Sequence, residues 1–165
     1  MNAQIIPSFP KKINKILHKT FKHQEVFIEE IKNEEESIYP NRIFYHVLDK
    51  AKNTIGTLVI NKAYGCHIEG CDDPSEIRND FANSAYEEFY YAILFNPDLS
   101  IKTVKILEYD SEYGYEICSK RWLKQFRNIS PNQINKLHKI DGISGATVSV
   151  NSIVNDIINL GFILE

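Results

Sequence analysis

Long apolar runs are missing from this chain. No stretch approaches the roughly 18 residues that a membrane-crossing helix needs, which excludes such a helix. A strong charge of one sign is missing as well. Nineteen Lys and Arg stand against 22 Asp and Glu, a formal net charge of −3. The basic footprint of a nucleic-acid binder is therefore absent, and no nucleic-acid partner is expected. Tryptophan and methionine occur once each and cysteine three times, too few cysteines for a disulfide-dense scaffold. Internal repeats and low-complexity tracts are also absent, which excludes solenoid and fibrous architectures. What remains is the make-up of one folded domain: 165 residues, 43% hydrophobic, 25% charged and 12% aromatic.

The first ten residues hold no apolar stretch of signal-peptide type. Two readings follow: a cytoplasmic protein, or an exported chain whose leader has been removed, with Met1 added for expression. Cys66 and Cys71 lie five apart between turn-forming glycines, Gly65 and Gly70. They can close a small disulfide loop outside the cytoplasm, stay as free thiols inside it, or join His67 around a metal. The metal reading lacks a fourth ligand. Cys118 is then unpaired and packs as a small apolar residue.

Periodicity predicts an amphipathic helix over residues 9–22, capped by Ser8, with Phe9, Ile13, Ile16, Leu17 and Phe21 on one face and lysines on the other. Val26-Phe27-Ile28 opens a short strand. Two hairpins follow, Arg42 to Leu48 with Thr54 to Ile60, and Tyr86 to Phe95 with Ile101 to Tyr109, each joined by turn chemistry. Residues 119–126 read as a short helix capped by Ser119. From Val148 to Leu160, Val150, Ile153, Val154, Ile157 and Ile158 form the stripe of a helix lying on a sheet, and Gly161 reads as its stop. The expected fold is α+β: a twisted, mainly antiparallel sheet with packed helices in a single compact domain. Residues 1–39 supply an N-terminal helix and strand packed on that domain, and residues 40–165 supply its body.

The chemistry concentrates in Asp141-Gly142-Ile143-Ser144-Gly145-Ala146-Thr147-Val148-Ser149. Small residues leave the backbone bare, and the helix that follows offers unpaired N–H groups and a positive dipole end, a combination that favours a phosphate. The plainer reading is that Thr147 or Ser149 caps the helix and the glycines make the turn.

The segment Asp141 to Thr147 resembles the flavinylation motif of the FMN-binding domain family, whose members include a flavin-carrying subunit of the sodium-pumping NADH:quinone reductase and one of the Rnf electron-transport complex. That motif reads Asp, two residues, Ser or Thr, Gly, Ala, then Thr or Ser, and this chain matches every fixed position. The resemblance extends to Glu88–Val104 as the central hairpin, to Tyr113-Gly114-Tyr115-Glu116-Ile117, and to Trp122-Leu123-Lys124-Gln125-Phe126. It covers roughly residues 40–161. Tyr113-Gly114 departs from the fuller Pro-Gly-Leu-Gly loop of the pump proteins, and their N-terminal anchor is not seen.

The resemblance implies FMN attached covalently by a phosphodiester to Thr147. A separate flavin transferase would do this, using a metal ion and FAD as donor, with Asp141 serving the attachment step. It implies Ser144, Gly145 and Ala146 at the phosphate, and Gly114, Tyr115, Glu116, Ile117 and Trp122 around the ring. Trp122 has plain core packing as its alternative, and Glu116 and Lys120 have solvation as theirs. The implied role is an electron carrier between unidentified redox partners, membrane-bound ones among them, rather than a stand-alone enzyme. A small flavin-dependent reductase and a flavin-free interaction module are the alternatives. No acid–base constellation or nicotinamide fingerprint supports the reductase. The family's flavin domains face outside the cytoplasm, which favours the exported, periplasmic reading and the Cys66–Cys71 disulfide.

Overall fold

Segments rich in β-branched and aromatic residues pair in chain order into one five-stranded antiparallel sheet. The computed structural model describes residues 7–22, 24–32, 41–67, 86–110 and 114–164. The strands are β1 (Phe27–Glu30), β2 (Arg42–Leu48), β3 (Thr54–His67), β4 (Tyr86–Phe95) and β5 (Ile101–Glu108). Both predicted hairpins are present. In the first turn the Asp49 carboxylate accepts from the Asn53 backbone N–H at 2.9 Å and from Asn53 Nδ2 at 3.0 Å. In the second, Asp98 accepts from the Ser100 N–H at 3.0 Å and from its hydroxyl at 2.6 Å. Such side-chain closures are why Asp and Asn mark turns.

Alternation along the strands gives the sheet two buried faces. On one, Tyr45, Val47, Leu58, Ile60, Ala92, Leu94 and Leu107 pack against Ile13, Leu17 and Phe21 of α1 (Pro10–Thr20) and the residue after it. On the other, Val59, Ala63, Phe89, Tyr91, Ile93 and Phe95 meet the C-terminal third of the chain. That third runs through a 3-10 turn (Tyr115–Cys118), the short helix α2 (Lys120–Leu123), 3-10 turns at Lys124–Phe126 and Pro131–Lys139, and the helix α3 (Thr147–Leu164).

Two expected helix boundaries shift. Ser8 does not cap α1. Phe9 takes the cap position at φ 46°, its carbonyl accepts from the Ile13 N–H at 2.9 Å, and its ring packs 5.3 Å from that of Tyr90. Gly161 does not end α3, which continues to Leu164. A Cβ at Gly161 would lie 2.9 Å from Ile134 Cδ1, the flexible end of a side chain on the 131–139 segment that packs against the helix. Ser119 does cap α2, its hydroxyl accepting from the Trp122 N–H at 3.2 Å. Cys71 lies outside the described residues, and with it the expected Cys66–Cys71 bridge.

Candidate functional site

The segment 141–147 reaches α3 through an exposed turn. Gly145 has φ +77°, and a Cβ there would meet nothing within 4 Å. Conformation, not space, therefore requires glycine at this point. Ala146 is buried, donates its N–H to Ile143 O at 3.0 Å, and accepts from the Val150 N–H at 3.0 Å as α3 begins. Thr147 is the first residue of this 18-residue helix. Thr147, Ser144 and Asp141 are exposed. Ser149 is fully buried, its Oγ 3.2 Å from the Tyr109 hydroxyl.

Two contacts set the turn in place. The first is Gly114 against Ala146. Gly114 has φ +69°, and a Cβ there would fall 2.0 Å from the Ala146 methyl. Only a glycine lets the two backbones close. The Gly114 carbonyl accepts from the Ile117 N–H at 3.0 Å. The exposed Tyr115 and Glu116 follow directly, with Tyr115 67% exposed.

The second contact holds Asp141 by its backbone. Trp122 Nε1 donates to the Asp141 carbonyl at 2.8 Å, and the Asp141 N–H donates to Gln125 Oε1 at 3.0 Å. The three-residue spacing of Trp122 and Gln125 puts both on one side of a helical turn, facing the same peptide. The carboxylate of Asp141 is left to the surface.

The structure thus brings Asp141, Ser144, Gly145, Ala146, Thr147 and Gly114 into one surface region, with Tyr115 and Glu116 beside Gly114 in sequence. Ile117 and Trp122 are 0% and 5% exposed and belong to the core, where the Trp122 ring stands edge-on to Phe126 at 5.1 Å. Gln125 received no role from the sequence, although its spacing from Trp122 was visible there. Tyr109 could not have been found that way, because its partner Ser149 is 40 residues distant.

Beneath the turn, α3 is pinned to the sheet by polar groups. Asp156 accepts from Arg42 and from the Tyr91 hydroxyl. Burial, and after it the Asp156 charge, pushes the Tyr91 phenol well above its ordinary range. Ser152 Oγ accepts from the Tyr64 N–H at 3.3 Å, next to the irregularity between Tyr64 and His67 that interrupts the β3–β4 ladder.

A model of the FMN-binding domain family matches residues 86–160, from the start of β4 to the last turn of α3. This segment belongs to the FMN-binding domain family. No curated protein and no solved structure matches the chain. The matched segment contains the 141–147 turn, Gly114 and the Trp122–Gln125 pair, so the contacts that build the site lie within it. The residues fit FMN: a hydroxyl stands exposed at the first residue of a long helix, and the space a Cβ would fill at Gly142 and Gly145 is open. The family match supports FMN as the cofactor of this segment.

Proposed function

We propose that this chain is an electron carrier whose FMN is joined by a phosphodiester to Thr147 Oγ1, attached by a separate flavin transferase with FAD as donor. One observation carries the choice of atom. Of Thr147 and Ser149, the two hydroxyls in the first turn of α3, Thr147 is exposed and Ser149 is buried against Tyr109. The N–H groups of the first turn have no carbonyl partner within the helix, and the helix dipole favours an anion there. Gly145 and Gly142 keep side chains away from that anion. Gly114 and Ala146 fix the turn, and Trp122 and Gln125 fix Asp141 at its start. When bound, FMN supplies one- and two-electron transfer. The protein's part is to hold the phosphate, present the ring, and keep the acceptor hydroxyl reachable for the transferase.

The compartment we propose is outside the cytoplasm, with the exchange partners being other redox proteins. Co-expression with an exporting host's flavin transferase, followed by in-gel flavin fluorescence of denatured protein, tests the attachment. Label is expected in the parent chain, in Ser144→Ala and in Ser149→Ala, and not in Thr147→Val. Undiminished label in Thr147→Val would overturn the assignment. Steady turnover of the purified, labelled chain with NADH and a small acceptor would replace the carrier reading with a reductase. Alkylation without reductant and peptide mapping of exported protein checks the compartment: Cys66 and Cys71 are expected bonded, and full labelling of both would refute it.

A further inference from the structure

An open groove of about 570 Å³ lies away from the acceptor turn, along the edge strand β5. From α1 and just beyond it come Lys15, Lys19 and Lys22, from β5 Lys102 and Lys105, and from α2 and the turn after it Lys120 and Arg127. Seven of the chain's 19 basic residues therefore line one concavity in a protein of net charge −3. Among the described residues, no Asp or Glu lines it. Lys102 is committed, donating to Asn96 Oδ1 at 3.2 Å with its ammonium 5.1 Å from the Phe21 ring centre. Lys105 is half-buried. Burial first, and then the charges of Arg127, Lys120 and Lys19, hold its pKa below the usual lysine range.

Protection of an exposed strand edge explains lysines on β5 itself. It does not explain five more cations brought in from α1 and the α2 segment. Like charges gathered without counter-charge destabilise the compact state and attract anions. A small polyanion is a poor fit, since the cations sit on long side chains of three separate elements. A bilayer is a poor fit as well. The apolar side of α1 (Ile13, Leu17) is spent on the sheet, leaving none to enter a membrane.

We propose that this groove docks an acidic surface patch of the redox protein that exchanges electrons with the FMN domain. The proposal rests on the carrier reading above. The α2 segment links the two places: Lys120 and Arg127 face the groove, while Trp122 and Gln125 hold Asp141 of the acceptor turn. A partner seated on the cations lies against the segment that positions the flavin attachment. Charge patches of this kind speed encounter without requiring tight binding.

The test has two arms. In the first, a fluorescein-labelled oligoglutamate peptide is titrated with the flavin-free chain at low salt. Lys15→Glu with Lys19→Glu should weaken binding by ~10-fold or more, while the exposed control pair Lys50→Glu with Lys52→Glu stays within ~2-fold, and binding in both should fade near 1 M salt. All four sites are exposed, and Lys22→Gln with Arg127→Gln repeats the test if the first pair is unstable. In the second arm, the flavin-labelled chain exchanges electrons with a small acidic ferredoxin. The groove variant should slow this by ~10-fold at low salt and leave the rate with neutral menadione unchanged. Equal loss in groove and control pairs would overturn the proposal. So would tripolyphosphate or phosphatidylglycerol vesicles binding through these residues while the peptide does not, or equal slowing with ferredoxin and menadione. The peptide arm needs no flavin, so failure of the groove is separable from absence of label at Thr147.

Discussion

The two faces of the sheet are built on different principles. The face under α1 is mainly apolar, with Ile13, Leu17, Tyr45, Val47, Leu58 and Leu94 in one cluster. The buried polar side chains of Thr103 and of Lys62, which donates to Glu88 at 3.1 Å, also lie on it. The face under α3 is larger and contains polar groups at depth. Ser149 meets Tyr109, Asp156 meets Arg42 and Tyr91, and the Asn61 side chain is fully buried with no hydrogen-bond partner among the described residues. Buried polar groups demand defined geometry, because each unmet one costs about 1–3 kcal/mol. The α1 face is filled chiefly by apolar volume. The α3 face must hold one helix start in one place, and its polar pins and glycine contacts do that. Stability and positioning are thus divided between the two sides of a single sheet.

The sharpest test of this division lies at Thr147, the proposed acceptor. Thr147→Val should remove all covalent flavin while shifting stability by less than ~1 kcal/mol, since the side chain is exposed and nearly isosteric. Mass spectrometry with thermal melts checks both halves. Next is Gly114→Ala. The added methyl collides with Ala146 and the backbone has positive φ, so a loss of about 2–5 kcal/mol is expected, with label falling as the turn is displaced. Unchanged label and stability in Gly114→Ala would show that the close contact is dispensable.

Leu17→Ala, on the other face, should cost about 2–4 kcal/mol by opening a cavity. Yet at temperatures where the variant is folded, its label should equal the parent's. If label fell in step with stability, the two faces would not be independent.

Smaller effects probe the Asp141 clamp. Gln125→Ala and Trp122→Phe each remove one hydrogen bond to the Asp141 backbone, so each should cost about 0.5–1.5 kcal/mol, Trp122→Phe somewhat more for its lost core volume. Each should also slow flavin attachment several-fold, and Gln125→Glu, which keeps the acceptor oxygen, should restore the attachment rate. Full-speed labelling in both variants would leave the clamp without a role.

The smallest effect concerns pH. Tyr91 is held protonated in the fold, whereas the unfolded chain releases this proton near pH 10. A raised folded pKa adds stability that is complete below about pH 10 and is lost as pH rises from there toward the folded value. Denaturant midpoints should fall above pH 10, and less steeply in Tyr91→Phe. Tyr45, on the α1 face, is also raised, by burial and then Glu30. Tyr45→Phe should flatten the decline less than Tyr91→Phe does.

Much of the molecule follows from local sequence. The strand ends of β2, the Asp49–Asn53 and Asp98–Ser100 turns, the Ser119 cap and the α3 stripe are settled within a few residues, by turn chemistry and period. The 141–147 motif is legible for the same reason, since its glycines, its hydroxyl and the helix start are contiguous. The off-stripe residues Ser152 and Asp156 carried no such signal. Their importance comes from Tyr64, Arg42 and Tyr91, which reach them only across the sheet.

Gly161 shows the limit most plainly. Glycine ends many helices because of what its own backbone can do, and the local rule predicts a stop. Here the helix runs on to Leu164 against the 131–139 segment, a neighbour that only the folded chain supplies. Local sequence sets which segments become strands and helices, where the chain turns, and which hydroxyl stands at the start of α3. Only the folded chain brings Gly114 against Ala146, closes Trp122 and Gln125 on Asp141, and buries Ser149 while leaving Thr147 exposed. Those are contacts between distant segments. They depend on which atoms occupy the same small volume, and no local propensity encodes that.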